Sequence, residues 1–350
     1  MGVVERNTVN RRVLRRSGVP AALLALMMGL SACSSATSQL EEDQLAQGGA
    51  VPAESPQIFE PEGGEIVSSP GSVRSLVAVG DRVAAQVQSP PSLEIGRVEG
   101  TRWITEDTVE LPADPGTATG GDDGSIVVPY ADGVVVVSPE GGSRRIAGLG
   151  PVSAVTVTPD GKLITGTAEG DVVIRDSEGN EENRIGGLTS VDALTVAADG
   201  SITALSRPDT VIASIDPTES GAGPLLRAGR GAAMMDDLGE GSLVATDTVG
   251  STLLVYSTSP VRLHQQFPVA DAPWAVAQDP SRSVVWVTST GTNTLQAYDL
   301  GDGIGVLVAE IPTVRQPDAL AVTTSGTVVV GSADGAGLHL VEPTVTAPIG

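Results

Sequence analysis

The apolar positions of this chain fall in short runs separated by polar clusters. From about residue 60 onward, segments of four to seven residues rich in Val, Ile, Leu and Thr alternate with groups of Gly, Asp, Ser and Pro. No segment in that stretch keeps an apolar stripe at helical spacing, so the pattern predicts strands joined by tight turns. One unit recurs. Its clearest copy, SAVTVTPDGKLITGTAEGDVVIRDSEGNEENRIGGL, begins at Ser153, and related stretches begin at Asp192, Trp274 and Asp318. Each reads as an inner strand, an Asp-Gly type of turn, a second strand, a short loop, a third strand, a polar turn and a fourth strand. The turn glycines supply the positive φ that tight hairpins need.

The first turn of each unit falls at Gly80-Asp81, Asp123-Gly124, Asp160-Gly161, Asp199-Gly200, Glu240-Gly241, Pro280-Ser281 and Ser325-Gly326. The spacing is close to the roughly forty residues per blade of propeller arrays. Four strands cannot bury both faces of a sheet alone, so the units must stack on one another. The expected fold is all-β: a seven-bladed β-propeller of four-stranded antiparallel blades over residues 58–350. The inner strands are small and apolar (Ala154, Val155, Val157; Ala193, Leu194, Val196; Ala319, Leu320, Val322), as crowding around a central channel demands. The last unit runs out after Val341, while surplus chain precedes the first. A strand around Glu65–Val67 is therefore expected to complete the last blade and close the ring, removing an open edge. The C-terminal TVTAP segment is the other candidate, and Pro343 and Pro348 weigh against it.

The N-terminal pattern is of another kind. Arg6, Arg11, Arg12, Arg15 and Arg16 precede an apolar run from Val19 to Leu30. A basic n-region and a short h-region read as a secretory signal, and the run is too short for a stable membrane span. It ends in Leu30-Ser31-Ala32-Cys33, which resembles the lipobox of bacterial lipoproteins. The resemblance implies that residues 1–32 are a signal peptide, that the Cys33 thiol is acylated, and that Cys33 becomes the first residue of the mature chain. Cys33 is the only cysteine, so no intrachain disulfide can form. The pair Arg11-Arg12 raises the twin-arginine route, but Arg15-Arg16 follow directly and the expected aromatic is missing, which favours general secretion. Residues 33–57 are rich in Ser, Glu, Gln, Ala and Pro without an apolar face, and predict a disordered acidic tether. Its coil dimension is roughly 25–30 Å. The acyl chains would hold the domain at the outer face of the cell membrane.

Charge narrows the partners. The chain has a formal net charge of −23, and losing residues 1–32 would remove five arginines and one glutamate, leaving it more acidic still. Such a surface repels nucleic acid and anionic headgroups, so nucleic-acid binding is excluded. Lys162 is the only lysine.

Candidate chemistry is sparse, and no cofactor or metal is expected. His264 and His339 are the only histidines, and neither sits in a nucleophile-elbow context. Both are expected on strands or the surface. Asp122-Asp123 and Asp236-Asp237 are adjacent acids in turns without the spacing of a calcium loop. Gly120-Gly121 and Gly141-Gly142 precede no helix and so cradle no phosphate. One constellation remains. Aligning the seven units places Arg74, Thr117, Ser153, Asp192, Ala233, Trp274 and Asp318 at the entry of each inner strand. That ring would line the mouth of the central channel, where propellers bind ligands. It could hold a small polar ligand by stacking on Trp274 and pairing with Asp192, Asp318 and Arg74, or consist only of solvated strand ends.

The blade pattern A-V-x-x-P-D-G, followed by a D-V-V-I-R-D-like strand, resembles the YncE-type bacterial propellers. Together with the lipobox and the acidic tether, it resembles exported actinobacterial lipoproteins of the LppL group. That resemblance implies a place in the cell envelope and little chemistry. The Gly-His and Trp-Asp signatures of WD40 blades are missing. So are the repeated tryptophan docking motifs of quinoprotein propellers, since only Trp103, Trp274 and Trp286 occur. The expected function is a non-enzymatic binding or scaffold module, monomeric, meeting an envelope protein or a small polar ligand. The alternative is a lactonase- or hydrolase-like enzyme using acids and Ca²⁺ at the channel mouth.

Overall fold

A computed structural model describes residues 49–342 except 58, 59, 70, 122 and 302, all within Gly48–Gly350, the second of two compact units. The expected signal segment, Cys33, the tether as far as residue 48, Asp122 and the TVTAP tail lie outside the described residues. Those described contain no helix; their strands form seven four-stranded antiparallel sheets.

Blade 1 runs from Val73 to Glu110, blade 2 from Thr119 to Ala147 and blade 3 from Ala154 to Ile185. Blade 4 runs from Ala193 to Arg227, blade 5 from Ala232 to Pro268 and blade 6 from Pro273 to Pro312. In each, sequence-adjacent strands pair, and the first is innermost. All seven turns expected from the sequence lie between the first and second strands of their blade. Gly161 and Gly200 take φ of 83° and 85° there, a conformation that side-chain-bearing residues rarely adopt.

Blade 7 departs from the sequential order in the way the surplus chain predicts. Its first three strands are Pro317–Val322, Val328–Ser332 and Leu338–Val341, and its fourth strand is Glu65–Val67. The pairing is antiparallel, with Glu65 opposite Leu340, Ile66 opposite His339 and Val67 opposite Leu338. The chain enters this strand through Gly64, at φ 64°, where a Cβ would stand 2.0 Å from the Leu340 carbonyl oxygen. His339 fastens the junction. It is fully buried; its Nε2 lies 2.8 Å from the Gly63 carbonyl oxygen and its Nδ1 2.9 Å from the Thr313 hydroxyl. A carbonyl only accepts, so Nε2 carries the proton and Nδ1 accepts from Thr313. Burial pushes the His339 pKa down, with the Gly63 hydrogen bond working against it.

The core is divided as stacking requires. Seven apolar clusters fill the seven blade interfaces, from Ala84, Leu93, Ile95 and Val128 between blades 1 and 2 to Val73, Ala85, Val329 and Leu340 between blades 7 and 1. The cluster between blades 6 and 7 holds Trp286 and Trp274. Small residues on the inner strands (Ala154, Ala233, Ala319) are buried.

Residues 49–57, assigned by composition to a disordered tether, are hydrogen-bonded to the propeller. Ser55, almost fully buried, donates its hydroxyl to the Thr290 carbonyl at 2.8 Å and accepts from the Gln316 backbone N–H at 3.1 Å. The Gln316 side chain donates to the Ala53 carbonyl and accepts from the Ser55 N–H. Asn293 donates to the Pro56 carbonyl. Ala50 packs against the blade 6–7 cluster. The physical reason is that unpaired loop groups on blades 6 and 7 offer this strap partners that no local pattern within 49–57 announces.

Candidate functional site

The inner strands surround a channel of about 490 Å³. Sequence alignment of the blades predicted which residues would ring its mouth, and the fold places all seven at the starts of inner strands. Five of them, Arg74, Thr117, Ser153, Asp192 and Asp318, line the channel.

Local irregularity aims several of these positions. In blade 1 the pairing passes from Val73–Val87 to Ser75–Gln86, leaving Arg74 as an extra residue. In blade 7 it passes from Pro317–Ser332 to Ala319–Gly331, leaving Asp318 extra. Such bulges break the strict alternation of a strand and re-aim a side chain. Blades 5 and 6 carry one extra residue each at the same level, around Ala233-Met234 and Trp274-Ala275. Buried polar side chains of the second strands take up backbone groups freed there. Thr246 accepts from the Met234 N–H and donates to the Trp274 carbonyl at 2.9 Å; Thr288 accepts from the Ala275 N–H. Gln86 accepts from the Ala118 N–H and donates to the Gly116 carbonyl, tying blade 1 to blade 2.

Two ring members stand elsewhere. Ala233 is fully buried, and Trp274, only 8% exposed, belongs to the blade 6–7 core. Trp274 therefore offers no open ring face for a ligand, which corrects the stacking role expected of it. The reason is a residue that the blade alignment did not include. The Arg207 guanidinium lies 5.7 Å from the Trp274 ring centroid, a cation–π distance. Its Nε donates to the Ala233 carbonyl at 2.6 Å, and its backbone N–H donates to Asp192 at 2.9 Å. Arg207 sits in the loop between the second and third strands of blade 4, where blades 3, 5 and 6 carry small residues (Thr167-Ala168, Thr248-Val249-Gly250, Thr290-Gly291). That contrast was the available signal.

The electrostatics of the mouth are mixed. Burial pulls the Arg207 pKa down and Arg74 adds to that, while the Asp192 carboxylate opposes it. The Asp318 pKa is pushed up to about 6, chiefly by burial, with Asp334 adding and the Gln316 hydrogen bond opposing. At the opposite end of the channel Asp236 is likewise raised to about 6 by burial, with Asp237 adding to it. The acids at the mouth are each held through one oxygen. Asp192 accepts from Ser190 at 2.6 Å as well as from Arg207, and Asp318 accepts from Gln316 at 3.0 Å. Among the described residues no group of three or more His, Cys, Asp or Glu is placed to hold a metal ion.

The histidines are remote from this chemistry. His339 is buried in the ring closure, and His264 is exposed on the outer strand of blade 5, Val261–Pro268. Asp236 lies on the inner strand of blade 5, Ala232–Gly239, and accepts from the Gln278 N–H, so it is not the turn acid that composition suggested.

No family model matches the chain, and no curated protein matches it. Solved structures do resemble it. A chain from a mitotic checkpoint complex superposes with a TM-score of 0.66 at 14% identity, covering 83% of this chain and 95% of that one. A streptogramin B lyase gives 0.63 at 15% identity over 82% and 99%. The WD40 propeller domain of Doa1 gives 0.64 at 12% identity over 82% and 98%. At such identities the likeness is one of fold alone, across proteins of different activity. The chain is a seven-bladed β-propeller with distant propeller neighbours.

Proposed function

We propose that this chain is a lipid-anchored binding module of the cell envelope, held at the outer face of a membrane through Cys33 and working without catalysis. The observation that carries the binding reading is the channel. Its volume of about 490 Å³ falls among ligand sites, which span about 300–1,000 Å³. Bulged strand starts turn charged side chains into its mouth. Among the described residues its acids do not gather with others into a group that could hold an ion, which favours binding over Ca²⁺-assisted hydrolysis. Anchoring is supported by the Leu30-Ser31-Ala32-Cys33 sequence.

Two measurements test the two parts. The full chain, expressed in a bacterial host that processes lipoproteins, should fractionate with membranes and into detergent, and Cys33→Ser should release it. A Cys33→Ser variant that stays on the membrane would remove the anchor from the reading. A photoreactive side chain at Thr117, at the channel mouth, should cross-link a specific ligand or partner in intact cells. The same group at Arg262, on the exposed outer strand of blade 5, should not. Equal labelling at both positions would sink the binding part.

A further inference from the structure

Unused donors at the channel mouth stand beside acids that are only partly satisfied, Asp192 Oδ1 and Asp318 Oδ2 accepting no hydrogen bond among the described residues. Asp192 and Asp318 are each engaged through one oxygen, whereas the Arg74 side chain is exposed and, among the described residues, makes no hydrogen bond or ion pair. Arg207 commits its Nε to the Ala233 carbonyl and one terminal nitrogen to the Met234 sulfur at 3.1 Å. Its other terminal nitrogen, Nη1, has no partner among the described residues. Both arginines line the same channel, and they are near enough for Arg74 to disfavour the charge on Arg207. Two guanidinium groups lining one channel with spare N–H groups match a carboxylate or phosphate, whose oxygens only accept.

A second cavity adds shape. A groove of about 320 Å³ on the same face shares Arg74 and Ser153 with the channel. Away from Arg74 it is lined by Pro115, Tyr130, Ala131, Pro151 and Val152, with Asp114 the only acidic side chain. Arg74 therefore stands where a charged pocket meets an apolar one.

We propose that the mouth binds a small amphiphilic anion, its carboxylate or phosphate meeting Arg74 and Arg207 and its apolar arm lying in the groove beside Tyr130. The proposal rests on the mouth being a binding site and names the class of ligand it takes. The chain's net negative field opposes any anion, so recognition has to come from these close contacts and not from long-range attraction.

Calorimetric titration of the detergent-solubilised full chain tests it with phenylacetate, phenyl phosphate, acetate, inorganic phosphate and phenethylamine as probes. The two aromatic anions should bind more tightly than acetate and inorganic phosphate, and phenethylamine should not bind. The ranking of phenylacetate against phenyl phosphate tells a carboxylate ligand from a phosphate one. Arg74→Ala should weaken the aromatic anions at least about tenfold, and Arg74→Lys should recover part of the loss. Tyr130→Ala should lower affinity for the aromatic anions and leave acetate unchanged. Because Arg207 also holds blade 5, it is replaced only by Lys, with the melting temperature recorded beside the affinity.

Unchanged affinity in Arg74→Ala, or no heat from any anion, overturns the ligand class. Binding of phenethylamine that Asp318→Asn removes would also overturn it, while leaving the mouth a binding site for cations. The broader binding reading is judged separately, by the in-cell cross-link at Thr117.

Discussion

Asp279 is fully buried and accepts five hydrogen bonds: from the Ser281 and Arg282 N–H groups, the Ser281 hydroxyl, the Arg282 guanidinium and the Trp286 indole N–H at 3.0 Å. Burial alone would raise its pKa, but the bonds from Ser281, Trp286 and Arg282 outweigh it and hold the carboxyl below its ordinary value. The same residue thus shapes the Pro280-Ser281 turn, orients the largest buried side chain and joins blade 6 to blade 7, because Arg282 also donates to the Gly326 carbonyl. Removing the buried carboxylate leaves the Trp286 indole N–H without a partner in the core and takes from the part-exposed Arg282 its ion pair. Asp279→Ala should therefore cost about 3–5 kcal/mol in urea unfolding. Asp279→Asn, which keeps an acceptor, should cost less. Equal stability of Asp279→Ala and the parent would show that solvent replaces these partners.

At the scale of elements, the closing strand makes ring stability depend on pH. His339 is neutral in the fold and its pKa lies below the ordinary 6.5. The unfolded chain therefore binds more protons in that range, and stability falls as pH drops below about 6.5. His339→Asn should destabilise at pH 8 by about 1–3 kcal/mol, since one of the two bridging contacts is lost. The gap to the parent should narrow as pH falls below about 6.5, because the parent alone carries the proton-linked loss. A gap that stays constant with pH would mean that His339 titrates alike in both states. This closure was legible in the sequence, because the last unit lacked a strand and the first had chain to spare. So were the seven turns, since a hairpin writes its demands locally in Gly and Asp. The His339 latch was not legible: its partners Gly63 and Thr313 are distant along the chain, and only closure brings them together.

Across the whole molecule, what the sequence could show of the candidate site was its geometry by position and not its chemistry by contact. Repetition placed the ring of strand starts, because equivalent residues in stacked blades must surround one axis. It could not reveal that Arg207 would cover Trp274, since one lies in blade 4 and the other in blade 6. The strap at 49–57 had the same invisibility, and it carries the last prediction. Gly49 lies against Arg207, where an added Cβ would stand 3.0 Å from that of the arginine, so the strap begins beside the mouth and crosses to blades 6 and 7. Its attachment depends on Gln316, whose side chain both accepts from Ser55 and donates to Ala53. Those contacts lie outside the blade cores, so Gln316→Ala should change global stability by no more than about 1–2 kcal/mol. Local opening is another matter: with fewer bonds to break, proteolysis between 49 and 62 should accelerate while the ring survives intact. Gly64→Val provides the contrast, because its side chain would collide with the Leu340 carbonyl oxygen and unseat the closing strand itself. It should lower the melting temperature of the ring together with its resistance to protease. If Gln316→Ala behaves like Gly64→Val, the strap and the closure form one cooperative unit. If the two separate, the strap can leave the mouth of a propeller that stays folded.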